Sequence, residues 1–207
     1  MKPHVLSATA LLSLLVAAGC GDSGSTDGST DGSGGSASTN GTGMNATDGS
    51  TTTTGGGDEE PADVAGITAA HNAARAAVSP AASTPIPPLE WSSDLAAVAQ
   101  AYAENCVFEH SGGQYGENLY AESGLNATPQ DVVDAWVSED ADYDYDSNSC
   151  NVGAVCGHYT QVVWADSQRL GCGVANCSQN SPFGSGSWTI WVCNYDPPGN
   201  FVGEKPY

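Results

Sequence analysis

The sequence predicts an α+β fold, with helices packed on a small, mostly antiparallel sheet. Three observations carry that prediction. Helical periodicity fills the first part of the domain, strand-like apolar runs fill the last part, and Gly, Asn and Ser cluster between those runs. Over residues 63–78, Val64, Ile67, His71, Ala74 and Val78 recur at helical spacing, and Ser79-Pro80 ends the helix. Pro80, Pro85, Pro87 and Pro88 exclude a helix from the next segment. Ser92 or Ser93 caps a second helix through Leu95, Val98, Ala99, Tyr102 and Cys106, with Asp94 in its first turn. Thr128-Pro129-Gln130-Asp131 starts a third: a Thr cap, proline at the first helical position, and an acid three residues after the cap. On that helix Val132, Trp136 and Glu139 share one face, so a carboxylate points where apolar side chains point.

Three strands are predicted after Cys150, over 156–164, 170–177 and 188–195. In the first, a period of two puts His158, Thr160, Val162 and Trp164 on one face and Tyr159, Gln161 and Val163 on the other. A histidine thus heads an otherwise core-like face.

These elements form one domain, residues 61–207, a usual size for a single core. The chain ahead of it divides in two. Residues 1–20 read as a signal peptide: Lys2 is followed by an apolar stretch over 5–18, too short to span a bilayer. Ala17-Ala18-Gly19-Cys20 resembles a bacterial lipobox, which would leave Cys20 as a lipid-modified terminus and export the chain to the cell envelope or surface. Cysteine arithmetic agrees. Setting Cys20 aside from seven cysteines leaves six, all between 106 and 193, a disulfide set suited to an exported chain. Residues 21–60 form a linker in which Gly, Ser and Thr fill 28 of 40 positions, a composition that cannot offset its chain entropy by burial.

From residue 64 onward, 16 acidic residues stand against Arg75, Arg169 and Lys205. That field repels nucleic acid and anionic lipid headgroups, so nucleic acid is excluded as a partner and membrane contact is left to the lipid anchor. A monomer is expected. Neither HExxH nor GxSxG occurs, which removes the commonest zinc-protease and serine-hydrolase patterns.

CGHYTQVVWADS at 156–167, followed by WVCNYDPPGNF at 191–201, resembles the two signature segments of the CAP superfamily (cysteine-rich secretory proteins, antigen 5 and pathogenesis-related protein 1). HNAAR near the start of the domain, HSGGQYGENLY at 110–120 and AWVSE at 135–139 agree with it. The order of NSC, VCGHYTQVVW and CNYDPPGN is most similar to the plant pathogenesis-related type. Trp191 departs from the pattern, which usually has an aliphatic residue, Phe or Tyr there.

The resemblance implies an α-β-α sandwich and a shallow cleft holding two histidines and two glutamates, matched here by His110, Glu117, Glu139 and His158. Such a set can bind a divalent cation, zinc foremost, or pair as acid–imidazole couples that fix ring orientation. It can also activate water, with Glu117 or Glu139 as general base in a metal-assisted hydrolase. The leading expectation is a binding or interaction domain with a metal in the cleft. Lipid or sterol, polysaccharide and protein ligands are known for the superfamily. The stretch LYAESGLNA, 119–127, corresponds to a sterol-associated region of some members, but offers only Leu119, Tyr120 and Leu125 as apolar contacts. The resemblance also implies the pairs Cys106–Cys172, Cys150–Cys156 and Cys177–Cys193, whereas counting alone leaves fifteen pairings open. His71 reads as a satisfied core residue, Asn118 as a partner for backbone groups, and Trp164, Trp188 and Trp191 as core.

Overall fold

The computed structural model describes residues 59–207; the signal peptide, Cys20 and almost all of the 21–60 linker lie outside the described residues. The elements are α1 (Ile67–Ala76), β1 (Glu90–Trp91), α2 (Ser93–Ala103), β2 (Gly116–Ser123), α3 (Pro129–Val137), a 3-10 turn (Ser138–Asp142), β3 (Tyr143–Asp144), β4 (Ser149–Cys150), α4 (Gly157–Val162), β5 (Arg169–Cys177) and β6 (Trp188–Asp196). The main sheet has the order β1-β5-β6-β2. It is antiparallel except for the short parallel pair β1·β5.

The pleat of β6 divides the interior in two. Trp191, Cys193 and Tyr195 project into a core formed with Ile67 and Ala70 of α1, Val132 and Trp136 of α3, and Tyr159 and Val162 of α4. Trp188, Ile190 and Val192 project the other way, against Ala99 and Ala103 of α2. Every residue from Trp188 to Tyr195 is buried, as a strand covered on both faces requires. The α-β-α sandwich is therefore the observed architecture. On the α2 face two glycines set the spacing. A Cβ on Gly171 would lie 2.1 Å from the Ala96 nitrogen, and one on Gly173 would lie 2.4 Å from Gln100 backbone. Only a glycine lets the helix backbone approach that closely.

The helix starts follow the sequence. Ser92 Oγ accepts from the Leu95 amide, and Thr128 and Asp131 form a reciprocal capping box. Arg75 has the most demanding environment of the domain: it is 1% exposed and donates to the carbonyls of Pro87, Val162, Trp164 and Ser167. Burial lowers its pKa to about 10, so it stays charged at neutral pH and ties the proline-rich segment to the loop after α4.

Two expectations need correction. Residues 157–162 are a helix, α4, not part of a strand. The buried positions Tyr159, Val162 and Val163 fall at i, i+3 and i+4, the spacing of a helix facing the core. The β-branched and aromatic content of this stretch suits a strand equally well, and that content misled the periodicity. The second correction concerns the disulfides. The structure pairs Cys106–Cys177, Cys150–Cys156 and Cys172–Cys193, not Cys106–Cys172 and Cys177–Cys193. The pleat gives the reason. Cys172 and Cys193 are register partners, 4.1 Å apart at Cα, on the α1 face. Cys177, five residues further along β5, turns to the α2 face, where Cys106 follows the end of α2. The implied pairs would each have to cross the sheet.

Non-reducing digestion with a protease cutting at Val174 or Ala175, read by mass spectrometry, is expected to yield a Cys106–Cys177 peptide separate from a Cys172–Cys193 peptide. Recovery of Cys106 bound to Cys172 would refute this pairing.

Candidate functional site: two histidine–glutamate couples

His110 lies in the loop between α2 and β2, anchored at one end by Cys106–Cys177 and by the Tyr102 hydroxyl, which donates to the Glu109 carbonyl at 2.7 Å. Glu117 is the second residue of β2, a strand absent from those the sequence predicts. Its Oε1 accepts from His110 Nδ1 and from the Ser111 amide, both at 2.9 Å. Burial opposes ionisation of this carboxyl, but the hydrogen bonds from His110 and Ser111 outweigh it and hold its pKa below the usual carboxylate range.

Glu139 follows α3 in the 3-10 turn. Its placement beyond Val132 and Trp136 has a plain cause: the carboxylate reaches the start of α4. Its Oε2 accepts from the amides of His158 (2.9 Å) and Tyr159 (3.1 Å), and its Oε1 accepts from His158 Nδ1 (2.6 Å). It thus satisfies amides that a helix start leaves unpaired and fixes the imidazole in the same stroke. The Trp136 indole stacks at 6.4 Å on the His158 ring.

Both imidazoles donate through Nδ1, because carboxylate oxygens can only accept. The Nε2 lone pair of each ring is left without a partner among the described residues. His110 is well exposed and His158 about a quarter exposed, while both glutamates are nearly buried behind them. The structure therefore arranges the four residues as two couples rather than as one four-ligand cage. Among the described residues, no three His, Cys, Asp or Glu side chains gather as a metal-holding group. Asn118, next to Glu117, joins the couples by donating to the His158 carbonyl at 3.0 Å.

Behind the couples runs a buried relay that the sequence did not disclose. Asn118 Nδ2 donates to the Tyr195 hydroxyl (3.1 Å), and that hydroxyl pairs with His71 Nε2 (2.8 Å). His71 Nδ1 lies 2.7 Å from the Ile67 carbonyl. A carbonyl only accepts, so Nδ1 carries the proton and Nε2 accepts from Tyr195. Burial is the dominant influence on both ends: it lowers the His71 pKa to about 4 and raises that of Tyr195. His71, Trp164, Trp188 and Trp191 are all buried, as expected of core residues, and Asn118, buried too, bonds the His158 carbonyl as expected of a partner for backbone groups. Gln161 is buried too and accepts from the Gly199 amide. Of the 119–127 stretch, Leu119 is buried in the α2-side core, Tyr120 packs partly on the other core, and Leu125 is 55% exposed.

The family model described as "CAP: Cysteine-rich secretory protein family" matches residues 68–195. The chain belongs to the CAP family. Pathogenesis-related protein 1A of Nicotiana tabacum is 48% identical over 142 residues, which cover 67% of this chain and 77% of that relative. A PR-1 type protein of Sambucus nigra is 46% identical over 143 residues, covering 67% and 78%. Among solved structures, venom allergen-like protein 4 of Schistosoma mansoni aligns with a TM-score of 0.54 at 26% identity, over 68% of this chain and 90% of that one. NaASP2, described with Zn2+, aligns at 0.55 and 24%, over 70% and 84%, a likeness of fold. This is a CAP domain similar to the plant PR-1 proteins, from a family of secretory proteins, and its three disulfides agree with export.

His71 gives this CAP domain a defined acid sensitivity. Its folded pKa lies below the unfolded value, so the unfolded chain binds the extra proton first. The stabilisation is full above about pH 6.5 and is lost as pH falls to about 4, a change of about 3 kcal/mol. Urea midpoints measured across this window should fall for the wild type and fall less steeply for His71→Gln. Parallel profiles would show that His71 is not the group responsible.

Proposed function

We propose that the protein is an exported CAP-domain binding protein whose cleft holds a divalent cation, zinc foremost, between the Nε2 atoms of His110 and His158. One observation carries this reading: both rings turn Nδ1 to a carboxylate and leave Nε2 unpartnered. A carboxylate behind an imidazole fixes its tautomer and raises its basicity, the usual support of a metal-bound histidine. Two imidazoles would make an open site, to be completed by water or by a ligand group. They do not make a closed structural cage. When bound, the ion would supply Lewis acidity for gripping an oxygen or nitrogen donor of a partner. NaASP2, a relative in fold, is described with Zn2+.

The competing reading, a metal-assisted hydrolase, needs a carboxylate free to take a proton from water. Both oxygens of Glu139 already accept hydrogen bonds, and Glu117 Oε1 accepts two. The contacts of Glu139 favour ring orientation over base catalysis, which leaves Glu117 Oε2 as the base that a hydrolase would need. The lipobox-like Ala17-Ala18-Gly19-Cys20 adds a lipid anchor at Cys20, with residues 21–60 as the tether that holds the domain off the membrane. Lipid or sterol, polysaccharide and protein remain the candidate classes of partner, and the domain's acidity favours neutral or cationic ones.

Calorimetric titration with zinc is expected to show one site, lost in the His110→Ala/His158→Ala double variant and weakened about 10–100-fold in Glu139→Gln. Equal uptake by wild type and double variant would refute the cleft. For the anchor, Cys20→Ser should release the protein into the medium of a bacterial expression host, and unchanged partitioning with membranes would contradict lipidation.

A further inference from the structure

The three disulfides differ in where their sulfurs lie. Cys172 and Cys193 sit in the core on the α1 face, Cys106 and Cys177 in the core on the α2 face, and none of the four is more than 7% exposed. Cys150 and Cys156 belong to neither core. They line an open groove of about 330 Å³, together with Thr160 of α4 and with Phe201 and Glu204 from the chain after β6. Cys156 is buried but Cys150 is only half-buried, and Asn151, Val152 and Gly153 between them are exposed. The groove is larger than the roughly 150 Å³ that holds benzene, so a small thiol has room to enter.

The bridges also differ in what they hold. Cys106–Cys177 and Cys172–Cys193 join residues 71 and 21 apart in sequence, whereas Cys150–Cys156 joins residues 6 apart. The chain entropy that a cross-link removes from the unfolded state grows with the loop it closes, so opening the shortest loop costs the domain least. Its local role is larger. Cys150 lies in β4 opposite Tyr143, and Cys156 is the N-cap residue of α4, where its side chain makes no capping hydrogen bond. A helix of six residues is too short to persist unaided. The bridge therefore ties the start of α4 to the β3·β4 hairpin, two residues before His158. Glu139, accepting from the His158 and Tyr159 amides, and Asn200, donating to the Gly157 carbonyl at 2.8 Å, are the other supports of that first turn.

We propose that Cys150–Cys156 is a redox switch: a dithiol opens it while the domain stays folded, and the opening releases the start of α4 and with it His158. A thiolate of the reductant attacks Sγ of Cys150, the less buried partner, and the Sγ–Sγ bond breaks. Cys156 leaves as a thiolate and takes up a proton. The second thiolate of the reductant attacks the mixed disulfide, Cys150 leaves and is protonated in turn, and the reductant departs as its own disulfide. Both electrons and both protons of the dithiol thus pass to the protein. The release of α4 stands on the fold alone, whereas its effect on metal affinity rests on the function proposed above.

The test treats the full chain with graded dithiothreitol without denaturant, quenches with N-ethylmaleimide and maps the labels by mass spectrometry. Cys150 and Cys156 are expected to be labelled at about tenfold less reductant than Cys106, Cys172, Cys177 or Cys193. In the Cys150→Ser/Cys156→Ser variant, amide hydrogen exchange read by NMR should be about tenfold faster than in the wild type at His158 and Tyr159, and unchanged in α1, α2 and the main sheet. Where the wild type binds zinc, the variant should bind it about tenfold more weakly, and equal affinity would overturn the link to the cleft. A wild type that takes up no zinc refutes the metal reading instead, while labelling and exchange still decide the switch. Joint opening of all the disulfides, labels appearing first on a core pair, a variant that does not fold, or unchanged exchange at His158 and Tyr159 would each overturn the proposal.

Discussion

The hydrogen-bond relay from the Ile67 carbonyl through His71, Tyr195 and Asn118 to the His158 carbonyl is the constraint on which the site depends. It joins α1, β6, β2 and α4 through side chains that are all buried. Its donors and acceptors have one consistent assignment, with Asn118 donating to both sides, only while His71 is neutral. A protonated His71 would donate from both nitrogens, leaving the Tyr195 hydroxyl proton without its acceptor in a place that water does not reach. Burial, which depresses the His71 pKa, therefore also fixes the polarity of the relay and, through Asn118, the backbone position of His158.

Two further devices hold the couples to this frame. Arg75 spends its guanidinium on backbone carbonyls rather than on a carboxylate, so a single side chain anchors the proline-rich segment and the turn after α4 together. Glu139 does the same for α3 and α4, accepting from the amides of His158 and Tyr159 and from the His158 ring. The disulfides work at the periphery of this arrangement. Cys106–Cys177 fastens the loop that bears His110 to the α2 face, and Cys150–Cys156 closes the approach to α4. The rings are thus oriented by buried polar contacts, while the covalent links limit how far their supporting loops can stray.

Helices α1, α2 and α3 were legible because their caps and apolar spacing are local signals: Ser92, Thr128 with Asp131, and Ser79-Pro80 each act within a few residues. Strands β5 and β6 were legible because both are bounded by Gly, Asn and Ser clusters. α4 was not, since six residues carry too little periodicity to distinguish a helix from a strand when Tyr, Thr and Val fill it. β2 was hidden for a different reason. Its residues GENLYAES alternate weakly, and its strand character comes from pairing with β6.

The sequence by itself determined the α+β class, the separation of a Gly/Ser/Thr-rich segment from one domain, the family, and the identity of the two histidines and two glutamates. Each of these is written in composition, in local spacing or in long contiguous segments. Tertiary structure decided which cysteines meet, that the four residues form two couples, and that His71 reaches His158 through Tyr195 and Asn118. Those outcomes depend on which face of a pleated strand a side chain takes. A shift of one residue reverses that face, and only the packed register of β2, β5 and β6 settles it.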